Sequence, residues 1–204
     1  CDIINTNTFG ANRLKYPDNL EEIVTKAVEH AKKARELTGR ADALIALDLG
    51  PTGKLLEPLG DLSFDDAVDI YAEVIEYGTK AGADVILIET MQDSYELKAA
   101  VLAAKEHSDL PVCATVVFDE KGKMLTGGTP ESVVALLEGL HIDALGINCS
   151  LGPRQIKPFV ERMIQVSSTP IIVTPNAGLP QTDDEGHTYY DMSADEFASE
   201  MKEI

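Results

Sequence analysis

Six apolar, β-rich runs, each followed by a segment of helical periodicity, restrict what this chain can fold into more than any other feature. The runs are DIINTNTF (2–9), DALIALDLG (42–50), DVILIETM (84–91), PVCATVVF (111–118), ALGINCS (144–150) and PIIVTPN (170–176). They are near-continuous rather than alternating in hydrophobicity. Strands buried on both faces read this way, as in a parallel sheet covered by helices. Their starts recur every ~26–42 residues, the length of a strand plus a crossover helix.

The intervening segments carry helix punctuation. Asp18 or Asn19 precedes LEEIVTKAVEHAKKAREL, Ser63 opens FDDAVDIYAEVIEYGTKAG, and Asp93 or Ser94 precedes YELKAAVLAAKEH. Thr129-Pro130 sets a cap followed by a proline in the first turn, and Ser193 with Glu196 forms a capping box. Gly39 and Gly82 mark helix ends, while Pro158 in GPRQIKPFVERMIQ marks a first turn or a kink.

Repeated βα units fit either an open doubly wound sheet or a (β/α)₈ TIM barrel. No GxGxxG or GxxxxGK[ST] follows any strand. Polar residues gather at many strand ends instead of at one switch point: Asn5 to Thr8, Asp48, Glu89-Thr90, Asp119, Asn148-Cys149 and Asn176. A barrel would place all of these around one mouth, which favours the barrel. Eight units normally need about 250 residues. Six units in 204 residues predict an α/β fold, a (β/α)₈ TIM barrel incomplete in this chain. The opening CDIINTNTFGAN reads as mid-protein sequence.

Charge removes whole classes of partner. The net charge is −18, from 35 acidic against 17 basic residues, and such a surface repels phosphate backbones and anionic lipid. No apolar run approaches the ~20 residues that span a bilayer. The expectation is therefore no nucleic acid and no membrane. The cysteines, Cys1, Cys113 and Cys149, are few, odd in number and far apart, which points to a reducing, cytoplasmic setting. His30, His107, His141 and His187 form no metal-spaced pair and read as solvated or structural.

Two cysteines on strands invite opposite readings. Cys113 follows Pro111-Val112 at the start of its run, where it acts as a small hydrophobe. Cys149 ends its run at the mouth, after Asn148 and before Gly152-Pro153. Glu89 closes VILIE, where a carboxylate needs either a salt-bridge partner or a bound ammonium. Asn176 in TPNAGLP reads as turn chemistry or as a polar ligand at the mouth. Helix N-termini around the same opening favour a bound carboxylate. A thiol, an acid for an ammonium and helix ends for a carboxylate are compatible with a sulfur-containing amino acid. A Schiff-base aldolase would want a lysine in a strand near the mouth. Lys54, Lys121 and Lys123 instead lie in loop-like stretches.

Taken in order, TNTFGAN, LGPTGKLLEP, GADVILIETM, LTGGTPE, GINCSLGP and PNAGLP resemble the homocysteine S-methyltransferase family, most closely its cobalamin-dependent branch. The resemblance covers essentially the whole chain and implies that residues 1–204 are a partial homocysteine-binding barrel domain. It implies zinc held by three thiolates. One matches Cys149, and the other two belong to a Gly-Gly-Cys-Cys motif that this sequence lacks. The family's first strand, with its acidic-glycine substrate loop, and its last strand are expected to be absent too. Glu89 would bind the amino group of homocysteine. Asn176 would lie near the metal and supply an oxygen to it, and Thr8 and Asn148 would help line the substrate pocket. The implied reaction is methyl transfer to a zinc-activated homocysteine thiolate. Its implied donor is methylcobalamin, on one of separate cobalamin and folate domains. A stand-alone enzyme using betaine or S-methylmethionine, and a non-catalytic substrate-binding fragment, are the alternatives.

Overall fold

In a computed structural model, residues 1–183, 185–190 and 192–204 are described. Six strands form one parallel sheet in strict chain order: β1 (Ile3–Asn5), β2 (Leu44–Leu49), β3 (Val85–Met91), β4 (Val112–Val116), β5 (Ala144–Asn148) and β6 (Ile171–Thr174). The crossovers carry α1 (Leu20–Leu37), α2 (Phe64–Ala81), α3 (Ser94–His107), α4 (Pro130–Gly139) and α5 (Pro153–Val166). After β6 come two short antiparallel strands, β7 (Gln181–Thr182) and β8 (Thr188–Tyr189), and then α6 (Ala194–Met201).

The sheet is curled, and its cavity shows it. Strands β1 and β6 are five positions apart, which is about 24 Å in a flat sheet. Yet Ile3 and Asn5 of β1 line the same cavity of ≈ 320 Å³ as Ile172 and Thr174 of β6. Ala46, Val85, Leu87, Glu89, Cys113 and Thr115 complete its wall. Chain-order neighbours without a switch point, closing on a shared interior, make this an incomplete (β/α)₈ barrel.

Alternation along each strand sends the other set of side chains outward. Ile45 and Leu47 of β2, Ile86 and Ile88 of β3, and Leu145 and Ile147 of β5 are fully buried in one core against the helices. Helix α2 approaches the sheet through Gly78, where a Cβ would come within 2.4 Å of Leu47 Cδ2. On the concave side Gly146 allows the tightest curl: a Cβ there would lie 1.9 Å from the carbonyl oxygen of Ile172, its β6 partner.

Most of the expected punctuation is present. Ser63, Asp93, Thr129 and Ser193 each accept a backbone N–H at the start of a helix, and Thr129 and Ser193 belong to capping boxes. Asn19 caps α1 without a side-chain bond. Gly82 ends α2 at φ 91°, and Gly39 follows the end of α1 at φ 66°. Pro158 lies inside α5, five residues after Pro153 begins it.

The first run departs from expectation. It is extended only over Ile3–Asn5, because the next residues turn toward β2. Thr6 Oγ1 accepts the Asp48 N–H at 3.1 Å, and Thr8 Oγ1 donates to the Asp48 carbonyl at 2.7 Å. The β7–β8 hairpin is an addition that the apolar pattern does not announce. Its strands are two residues long and exposed.

Candidate active site at the strand ends

Cys149 sits just past the end of β5 in a backbone kink. Cys149 and Ser150 both have positive φ, 52° and 61°, and across the mouth Thr90 has 62°. Three non-glycine residues in the left-handed region at one opening mark local strain of the kind found at functional sites. The kink is held on both sides. The Cys149 N–H donates to the Thr174 carbonyl at 3.0 Å, and Ser150 Oγ donates to the Phe118 carbonyl at 3.1 Å. β3 is irregular between Ile88 and Met91; that break in register contains Thr90.

Asn148 joins the two kinked segments. Its Nδ2 donates to Thr90 Oγ1 at 2.6 Å and lies 3.2 Å from Cys149 Sγ, while its Oδ1 accepts the Thr90 N–H at 3.0 Å. Thr90 Oγ1 is 3.9 Å from the same sulfur. The thiol is half-buried and unpaired with any other cysteine.

Glu89, the residue before Thr90, turns into the cavity. Facing it is Asp48 of β2, 6% exposed. Burial first, then the charge of Glu89, pushes the Asp48 carboxyl up to about 8, and burial raises Glu89 as well. Among the described residues Asp48 Oδ1 has no hydrogen-bond partner, nor has Thr115 Oγ1 in the same interior. Asp48 is noticed in the sequence only as a polar strand end. Its signal is a carboxylate inside the buried run ALIALDLG, the same anomaly that singles out Glu89.

The remaining expected residues are placed as follows. Thr8 is buried, and its hydroxyl is occupied by Thr6 and the Asp48 backbone. Asn176 donates its backbone N–H to the Leu151 carbonyl at 3.1 Å, which ties the loop after β6 to the loop that bears Cys149. Cys113 lines the cavity further from the mouth, and burial pushes its thiol up. Among the described residues no lysine lines the cavity. Lys54 pairs with Asp61 at the surface, and His107 and His187 face Glu76 and Asp183 there.

The loop after β2, which carries the LGPTG motif, is fixed by a buried acid on α3. One oxygen of Glu96 accepts from the Thr52 N–H at 2.7 Å, Thr52 Oγ1 at 2.6 Å and the Tyr71 hydroxyl at 3.0 Å.

As a metal site the mouth is incomplete. Zinc wants three or four N or S donors, and no group of three His, Cys, Asp or Glu side chains able to hold an ion is found among the described residues. Cys149 is one soft donor, and the described residues by themselves do not complete a zinc site.

A βα barrel whose mouth carries a free thiol and whose interior carries two acids defines the class. The comparisons narrow it further: the sequence matches homocysteine S-methyltransferase over residues 1–204. The chain belongs to the homocysteine S-methyltransferase family.

Among its relatives are the methionine synthases of Mycobacterium tuberculosis, 31% identical over 201 residues, and Mycobacterium leprae, 31% identical over 215. These alignments cover 93% and 98% of this chain but only 17% and 18% of the relatives, so the chain spans under a fifth of their length. Among solved structures, the Escherichia coli homocysteine methyltransferase MmuM in its metallated form superposes with a TM-score of 0.77 at 22% identity. It covers 87% of this chain and 68% of MmuM. That likeness supports the fold. No helix among the described residues is long and apolar enough to cross a membrane.

Proposed function

We propose that residues 1–204 are the homocysteine-binding part of an enzyme that methylates homocysteine to methionine, with methylcobalamin as the donor. The observation that carries this reading is that Cys149, held in a strained turn, lies 3.9 Å from the hydroxyl of Thr90, the residue directly after the cavity-lining acid Glu89, which in turn faces Asp48. An amino acid with a terminal thiol presents an ammonium to the acids and a sulfur to the mouth. Asn148 and Thr90 fix where that mouth thiol points. Burial of the two carboxyls strengthens the ammonium–carboxylate attraction.

Homocysteine is the proposed substrate, and Glu89 the acid for its amine. Asn148, Asn176 and Thr8 are proposed to shape the pocket, Thr8 through the backbone of Asp48. Cys149 would supply one thiolate to zinc, with the other two ligands outside the described residues. Bound zinc would supply a deprotonated substrate sulfur. The 31% identity with methionine synthases across nearly the whole chain supports methylcobalamin over betaine or S-methylmethionine. It also supports cobalamin and folate domains as partners. Three unpaired cysteines fit a cytoplasmic setting.

Methyl transfer to homocysteine by the intact protein, assayed with methylcobalamin and separately with S-methylmethionine, tests this. Turnover with methylcobalamin that is lost in Cys149→Ala is expected. Turnover with S-methylmethionine alone would reassign the donor, and full activity of Cys149→Ala would reject the site.

A further inference from the structure

The curled interior holds an acid that the family resemblance does not account for. Asp48 lies two positions after Ala46 on β2, so it shares the inward face. Its Oδ1 and Thr115 Oγ1 are buried polar atoms without partners, in residues 6% and 1% exposed. Such atoms are costly unless a ligand or a proton supplies what they lack.

Among the described residues that line the cavity there is no cation. From β1 the cavity receives Asn5, from β3 Glu89, from β4 Cys113 and Thr115, and from β6 Thr174. Asn148 of β5 is engaged with Thr90 and Cys149 at the opening. Cys113 is kept protonated by its burial. Among the described residues of the cavity wall Glu89 is therefore the one charge facing Asp48, and it is of the same sign. Two carboxyls in this position retain one proton between them until a positive charge arrives.

We propose that Asp48 is a second wall of the ammonium pocket with Glu89, and that the amine of the substrate enters in exchange for the proton the two carboxyls hold. The proposal rests on the reading of the site as a homocysteine site. Before binding, the pair is one carboxylic acid and one carboxylate. As the ammonium docks, the O–H bond of the acid breaks and its proton passes to solvent. Two carboxylates then face one ammonium, with Thr115 Oγ1 as a further acceptor in the same cavity. The net charge of the pocket is −1 before and after. Asp48 thus makes amine recognition dependent on pH and selects against thiols that lack an amine.

Calorimetric titration of the intact protein, in buffers of low and high ionisation heat, counts released protons. Homocysteine is compared with 4-mercaptobutanoate, which keeps the thiol and carboxylate but lacks the amine. A proton released by the thiol is common to both ligands and cancels. Homocysteine is expected to release close to one proton more than the analogue at pH 6.5, and its affinity to rise up to about tenfold per pH unit toward pH 8. Asp48→Asn removes the extra proton and flattens the rise while Glu89 still binds the amine. Equal proton release by the two ligands in the unmodified protein overturns the proposal. Homocysteine that fails to bind at all overturns the reading beneath it. The unmodified protein alone decides between these, so the test survives a variant that does not fold.

Discussion

Asn148 Nδ2 lies 3.2 Å from Cys149 Sγ, so the residue that ends β5 holds the thiol beside it. The same amide grips Thr90 through both its oxygen and its nitrogen, at 3.0 and 2.6 Å. Two strained turns on non-adjacent strands are thereby locked in one arrangement.

Removing that amide separates positioning from folding. Asn148→Ala leaves the Thr90 N–H without its acceptor and the thiol without its guide. A stability loss of about 1–3 kcal/mol is expected from the orphaned groups. Methyl transfer is expected to fall roughly 10- to 100-fold through kcat, with KM for homocysteine little changed, because misplacement harms reaction geometry more than binding. Steady-state kinetics beside a thermal melt checks both; a change confined to KM contradicts the positioning role.

The curl of the sheet hangs on a hydrogen atom at Gly146. A methyl group there meets a backbone oxygen at 1.9 Å, and backbone cannot rotate aside as a side chain can. Gly146→Ala is expected to destabilise by about 3 kcal/mol or to displace β6. Gly139, at the end of α4 with nothing within 4 Å of its added Cβ, is the control. Gly139→Ala is expected to be neutral or to stabilise by up to about 1 kcal/mol. Denaturant unfolding of the two variants makes the comparison.

How far the sequence reveals the molecule depends on the range of the interaction. Parallel strands and their helices are legible because burial on both faces leaves continuous apolar runs, and caps such as Ser63 and Thr129 are local bonds. The end of β1 is not legible. Its turn is made by Thr6 and Thr8 reaching Asp48, 40 or more residues away. Glu89 and Cys149 stand out as polar groups closing apolar runs. The pairing of Glu89 with Asp48 follows from strand register and curl, and no spacing encodes it. Likewise, Thr90 reads as an ordinary strand-end polar residue until its left-handed backbone is seen.

The loop after β2 gives a prediction away from the chemistry. Glu96 gathers three donors onto one buried oxygen, two of them from Thr52. Glu96→Ala is expected to release Thr52 and to cost about 3 kcal/mol, combining an unsatisfied N–H with a cavity. Tyr71→Phe removes only one donor and is expected to cost about 1 kcal/mol. Hydrogen exchange at the Thr52 amide should be fast in Glu96→Ala and still slow in Tyr71→Phe. Equal protection in both variants would show that Glu96 does not hold the loop.

Asp48 makes the stability of the fold itself depend on pH. Its carboxyl titrates at about 8 in the folded chain against an ordinary 3.8. Between those values the folded protein keeps a proton that the unfolded chain has released. Stability therefore falls as pH rises from about 4 to about 8, and the full penalty is reached above the folded value. Asparagine cannot ionise and escapes this penalty, while the burial that raises Glu89 is common to both proteins. Asp48→Asn is thus expected to melt higher than the parent at pH 8, by about 5 °C or more for a domain of this size. The gap should shrink steadily toward pH 4, where the unfolded chain's carboxyl is protonated as well. A gap of the same size at both pH values would mean that the substitution acts through packing, and that Asp48 carries no trapped proton.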